Sequence, residues 1–186
     1  MANISMTETV LQCHPLSESG FVGAIAVHID RAEDGRLQIK YTLHGLIEEI
    51  RFPEATQPER TDGLWKDTCF ELFCGRTDEG RYAEFNFAPS GQWAAYAFTG
   101  YREGMTELAC APPQIKCTAG EGIFEMTVTV ALPESLRTVD LVAGFSAVIA
   151  DKDGRTAYWA LAHPPGKADF HHKDCFALQL EARTAA

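Results

Sequence analysis

Apolar and polar residues alternate along most of this chain with a period close to two. Turn-forming clusters interrupt the alternation roughly every 8–12 residues, the pattern of many short antiparallel strands. Phe21 to Ile29 and Arg36 to Leu43 flank Glu33-Asp34-Gly35, and Cys69 to Cys74 leads through Asp78-Glu79-Gly80 into Tyr82 to Phe87, so both segments predict hairpins. Pro89-Ser90-Gly91 then turns the chain into Gln92 to Phe98, which makes Cys69 to Phe98 a meander. Two further hairpins follow: Ile115 to Thr118 with Ile123 to Ala131, and Leu141 to Ile149 with Thr156 to Leu161. Cys175 to Leu180 alternates once more and predicts the last strand. Only Pro133 to Arg137, with its proline followed by an acid, carries a helix signal, enough for about one turn. Pro53 to Asp62 is polar enough for a long surface loop of the kind that borders a site. The expectation is an all-β protein: one domain over residues 1–186, a single antiparallel β-sandwich of immunoglobulin-like or jelly-roll-like type, with about ten strands and at most one short helical turn.

Composition narrows the partners. At 186 residues the chain can bury a core without covalent staples. Sixteen basic against twenty-six acidic residues, with no run of Lys or Arg, argue against nucleic acid or an anionic membrane surface. Met1 to Cys13 has no basic stretch followed by an apolar one, and no later segment approaches the ~18 apolar residues of a membrane span, so a cytoplasmic location is the expectation. The scattered spacing of Cys13, Cys69, Cys74, Cys110, Cys117 and Cys175 does not form a disulfide framework; reduced, mostly buried thiols are expected.

The sharpest local signal is Tyr82-Ala83-Glu84-Phe85-Asn86-Phe87. Period-two alternation puts Ala83, Phe85 and Phe87 on a core face and Tyr82, Glu84 and Asn86 on the other. An aromatic, a carboxylate and an amide in a row can stack on and hydrogen-bond a polar ring, and a plain solvated face satisfies the same alternation. Glu71 is expected beside that row, on the face opposite Phe70 and Leu72. Trp93 and Tyr96 lie on the next strand, and Arg102 follows in a loop as a forked donor. A second cluster runs from Tyr158 and Trp159 through His163 to Asp169, Phe170, His171 and His172, a turn-rich stretch suited to a rim. Neighbouring histidines on extended chain point apart and no HxH or HxxxH spacing occurs, so no metal site is expected. No nucleophile elbow, zinc-protease, P-loop or dinucleotide motif is present; Glu71 and Glu84 are the one pair of acids that a glycoside hydrolase would recognise as its own.

At these residues the chain resembles the DOMON-like domains, in particular a bacterial DOMON-like subgroup described as ligand-binding without an agreed ligand. The resemblance rests on LWKDTCFELF, RYAEFNFAPSGQWAAYAFTGYREGM and YWALAHPPGKADFHHKDCFALQL, and covers most of residues 64–180. These domains are sandwiches related to family-nine carbohydrate-binding modules and to the haem-binding cytochrome domain of cellobiose dehydrogenase. In the carbohydrate-binding relatives an aromatic pair sandwiches the sugar while acid, amide and arginine side chains bind its hydroxyls. The resemblance implies Trp65 as first aromatic with Glu71 as its acid, Trp159 or Phe170 as second aromatic, and Asn86, Gln92 and Arg102 as polar contacts. It implies a non-catalytic module for a sugar or sugar-like ligand, with no cofactor. In the alternative, haem would be held between Met105 and one of His163, His171 or His172. A protein-interaction module without a small ligand is a further alternative.

Overall fold

The computed structural model describes residues 7–183. Twelve strands follow one another in chain order: β1 (Thr7–Cys13), β2 (Val22–Arg31), β3 (Arg36–Gly45), β4 (Cys69–Arg76), β5 (Tyr82–Phe87), β6 (Trp93–Phe98), β7 (Thr106–Glu107), β8 (Gln114–Gly120), β9 (Ile123–Ala131), β10 (Leu141–Ala150), β11 (Thr156–Ala160) and β12 (Leu178–Leu180). The one α-helical turn, α1 (Glu134–Arg137), falls at the proline-headed segment, and single 3-10 turns occupy Ile47–Glu49, Leu64–Lys66 and Lys173–Cys175. A 3-10 turn of three residues is too short to leave a periodic signal.

The pairings between these strands are all antiparallel, along the order β7-β6-β5-β4-β10-β11-β1-β2-β3-β9-β8, with β12 added beside β10. The path curls into two layers, and β1 joins them. It pairs with β2 through Thr7–Leu11, then with β11 through Gln12 and Cys13. Leu11 is the one buried residue of β1, with half-buried Cys13 packed against the core and Val10 facing out, so its weak apolar content leaves little alternation. β7, two exposed residues paired to Tyr96 and Ala97, gave no signal either.

Inward-facing residues of both layers meet in one core. β2, β3 and β9 contribute Ile25, Val27, Ile29, Leu37, Ile39, Leu43, Met126 and Val128, facing Phe70, Leu72, Phe85, Phe87, Phe145 and Ile149 from β4, β5 and β10. Tyr41 sits in that core because its hydroxyl donates to the Glu71 carbonyl at 2.8 Å, satisfying the one polar atom it buries. Tyr41→Phe is expected to cost about 1 kcal/mol in urea unfolding without altering the midpoint slope. The expected final strand is shorter than its alternation implied: Lys173–Cys175 forms a turn first, its start capped by the His172 side chain, and only Leu178–Leu180 pairs. All six cysteines are free thiols; Cys69, Cys74 and Cys175 are buried, whereas Cys13, Cys110 and Cys117 are half-buried.

Candidate functional site

Every residue of β5, and every residue of β4 but the last, is buried, on both faces of the strand. The row Tyr82, Glu84, Asn86 is therefore not a solvated outer face. It is the floor of a cleft, because the long chain segment between β11 and β12 folds back over the layer. There Phe170 and Phe176 join Phe73, Tyr82, Tyr96 and Phe98 in a second, smaller cluster. The His171 ring stands edge-on to Phe73 and Phe98, with centroids 5.1 Å from each.

The cleft that remains measures about 940 Å³. Glu71 and Glu84 form its floor; Asp62, Trp65, Lys66, Tyr96, Arg102, Tyr158, Lys167, Asp169, Phe170 and His171 build its walls, with His14, Leu16 and Met105 at the lip. Register explains why the two acids converge. Glu71 pairs with Asn86 across β4 and β5, and Phe73 with Glu84, so the carboxylates are diagonal neighbours on one face. Ser146, opposite Glu71 on β10, donates its hydroxyl to Glu71 Oε2 at 2.9 Å, and Asn86 Nδ2 donates to Glu84 Oε1 at 2.7 Å. Asn86 Oδ1 in turn accepts a long contact from Cys69 Sγ at 3.8 Å.

A second chain of bonds reaches Glu84 from above. The Arg102 backbone N–H donates to the Tyr82 hydroxyl at 3.2 Å, and that hydroxyl lies 2.8 Å from His171 Nδ1. The other ring nitrogen, Nε2, lies 3.6 Å from Glu84 Oε2. Arg102 holds a left-handed backbone conformation, φ 55°, uncommon for a side-chain-bearing residue. Its guanidinium reaches Asp169 at 2.8 Å, and Tyr101 donates to the same carboxylate. Burial opposes ionisation of Asp169, yet these bonds outweigh it and hold the acid below its ordinary range. Tyr96 donates to Asp62 at 2.5 Å.

Burial, reinforced by the charge of Glu84, pushes Glu71 up to about 8 against the pull of Ser146. Glu84 is raised as well, by burial, against the opposing effects of Asn86 and Arg102. Both acids are thus held toward their protonated forms, and a carboxyl pair in that condition presents donor and acceptor oxygens side by side. His171 is lowered to about 4 by burial and by Arg102, with Asp169 opposing, and is neutral.

These shifts have opposite consequences for stability. The folded Glu71 keeps a proton that the unfolded chain has released above the ordinary carboxyl range, so its contribution is lost as pH rises toward about 8. The folded His171 refuses a proton that the unfolded chain accepts below about 6.5, so its contribution is lost as pH falls toward about 4. Thermal melts should show wild type losing stability between about pH 6.5 and pH 8, above the range in which His171 opposes Glu71, and Glu71→Gln should remove that loss and unmask the rise from about pH 4 to pH 6.5. Parallel profiles for the two proteins would contradict the assignment.

Of the residues expected from the sequence, Trp65, Glu71, Glu84, Arg102, Phe170 and His171 line the cleft together with Met105. Trp65 stands on the 3-10 turn Leu64–Lys66, which starts at Gly63 with φ 76°. Tyr82 and Asn86 lie just beneath the surface and hold His171 and Glu84. Four others lie away from the lining. Trp159 faces the core, as its partner Ala147 does, whereas Tyr158, whose partner Val148 lines the cleft, lines it too. Gln92 is tied to Glu59 and Thr61 in the loop that precedes Trp65. His163 lies outside the lining, its Nε2 against the Gln12 carbonyl at 2.8 Å. His172 caps the Lys173–Cys175 turn and stacks edge-on with Tyr101. Tyr158 and Asp169 come from the second cluster and Tyr96 from β6, where it pairs with Glu84, although none is among the expected ligand contacts; Asp62, Lys66, Lys167 and His14 are not singled out by the sequence. The register of β11 against β10 would have found Tyr158 and that of β6 against β5 Tyr96; the others lie outside the strands and carry no periodic signal.

Of the residues named in the haem alternative, Met105 and His171 line the cleft, with His171 Nδ1 2.8 Å from the Tyr82 hydroxyl, while His163 and His172 stand outside the lining. Among the described residues no group of three or more His, Cys, Asp or Glu is placed to hold a metal ion, and no helix is long and apolar enough to cross a membrane.

No protein-family model matches the chain, and no curated protein matches it. Solved structures do. A family 9 carbohydrate-binding module from Caldicellulosiruptor kristjanssonii, solved with cellotriose, superposes with a TM-score of 0.60 at 9% identity, over 97% of this chain and 84% of that one. The same organism's family 9 module with glucose gives 0.51 at 11% identity, over 88% and 78%. A protein from Bacteroides uniformis, described as a "putative carbohydrate-binding protein", gives 0.63 at 14% identity, over 95% and 86%. At such identities the shared property is the fold, an all-β sandwich.

Proposed function

We propose that this protein is a non-catalytic binding module for a small neutral sugar or sugar-like ligand, held in the cleft over Glu71 and Glu84. The observation that carries the reading is the floor itself: a buried acid pair flanked by Arg102 and walled by the rings of Trp65 and Tyr158. A hydroxyl both gives and takes a hydrogen bond, and a pair of carboxyl groups beside a guanidinium meets both needs. Ring faces supply a surface for the C–H side of a pyranose. The neighbours solved with cellotriose and glucose support the choice of ligand class. No chemistry is asked of the pair in this reading: Ser146 and Asn86 each hold one oxygen of an acid in place, and the acids orient a ligand's hydroxyls.

A panel of monosaccharides and disaccharides, each at millimolar concentration, should include at least one that raises the melting temperature by mass action. Trp65→Ala should weaken that sugar about tenfold and remove the shift at the same concentration. A panel in which no sugar stabilises the protein would refute the reading.

A further inference from the structure

Among the described residues seven large apolar side chains are exposed: Val10, Leu16, Leu46, Trp65, Tyr101, Met105 and Tyr158. Four of them, Leu16, Trp65, Met105 and Tyr158, line this one cleft. The two rings are accounted for by a sugar's C–H face. Leu16 and Met105 are not, because a branched alkyl group and a thioether present no flat platform; yet they are exposed to 76% and 62%.

Neither sits on a loose tip. The turn that carries Leu16 is stitched to β11 around Tyr158: His14 N–H donates to the Tyr158 carbonyl at 2.8 Å, and Tyr158 N–H donates to Ser17 Oγ at 3.1 Å. Leu16 N–H itself donates to His14 Nδ1 at 3.2 Å. The loop before Met105 is closed by Thr99 N–H donating to the Glu103 carbonyl at 3.0 Å, and Arg102 ties it to Tyr82. Two apolar groups are thus fixed in water at the mouth of a cleft whose floor is polar, an arrangement that water disfavours and an apolar ligand group would relieve.

The polar groups of the walls include Asp169 paired with Arg102, Asp62 bonded to the Tyr96 hydroxyl, and Lys66 and Lys167, all unlike in kind the alkyl and thioether groups of the mouth. From this juxtaposition of a hydrogen-bonding floor and an apolar mouth we infer that the ligand is a glycoside bearing an alkyl or aryl substituent, its hydroxylated ring on the Glu71 and Glu84 floor and its apolar tail against Leu16 and Met105. The inference rests on the sugar reading above and goes beyond it by naming the class of sugar derivative.

Titration calorimetry with paired methyl and hexyl β-D-glycosides of glucose, galactose, mannose and xylose tests it. For the sugar that binds, the hexyl compound should bind about tenfold more tightly than the methyl one. Leu16→Ser combined with Met105→Ser should abolish that gain while leaving the methyl glycoside affinity as in wild type. Both residues are exposed, and an unchanged methyl affinity shows that the double variant is folded. Equal affinities for hexyl and methyl compounds would overturn the inference and leave the sugar reading standing. A hexyl gain that survives the double substitution, or free hexanol binding as tightly as the hexyl glycoside, would also overturn it. If no glycoside of either kind binds, both readings fall.

Discussion

Arg31→Met is expected to lower the free energy of unfolding by about 3–5 kcal/mol, a loss large enough to move a urea midpoint well outside error. Arg31 ends β2 and its guanidinium is buried. Nη1 donates to the carbonyls of Leu180 and Glu181, each at 2.9 Å, and Nη2 to those of Leu136, Arg137 and Val139 at 2.8–3.1 Å. One side chain therefore satisfies five backbone acceptors around α1, the segment that follows it and β12. Methionine fills much of the volume but leaves those acceptors without their donor in a place water reaches poorly. Arg31→Lys should recover only part of the loss, since an ammonium cannot reach both sets of carbonyls from one position. A cost below about 1 kcal/mol for Arg31→Met would show that water replaces the guanidinium freely.

The second large effect concerns binding. Glu84→Ala should weaken the bound sugar about a hundredfold, because it removes a charge-assisted acceptor and disturbs the rest of the floor. Asn86 Nδ2 and His171 Nε2 both lose the carboxylate they address. Glu71, raised chiefly by burial and in part by the charge of Glu84, should shift downward while burial still holds it above the ordinary carboxyl range. Circular dichroism should show the β-sheet signal intact, so that the loss belongs to the ligand and not to the fold. Unchanged affinity in a folded Glu84→Ala protein would place the ligand elsewhere.

The fold was legible in the alternation because most strands have one face in the core, and a period of two survives wherever that holds. It failed at β1, whose seven residues put one leucine inward, and at β7, which is too short to have a period. The acid pair was legible as a shared face, since strand parity alone places Glu71, Tyr82, Glu84 and Asn86 together. What parity could not decide was whether that face met water. The answer lies in the fold-back of Phe170, His171 and Phe176, whose spacing in the sequence gives no sign of the surface they cover. Trp159 and Tyr158 exchanged roles for a related reason: both are aromatic, and only the partner strand shows which one faces inward.

The most direct test of the central claim uses the chain's own fluorescence. Of its three tryptophans, Trp93 and Trp159 are 5% exposed each, whereas Trp65 is 52% exposed and lines the cleft. A sugar that enters over Glu71 and Glu84 should shift the emission to the blue, saturably, and shield the protein from acrylamide quenching. Both effects should vanish in Trp65→Phe, which keeps a stacking ring and removes the reporter. A saturable shift that persists in Trp65→Phe, or sugar binding with no change in emission at all, would contradict the placement of the ligand in this cleft.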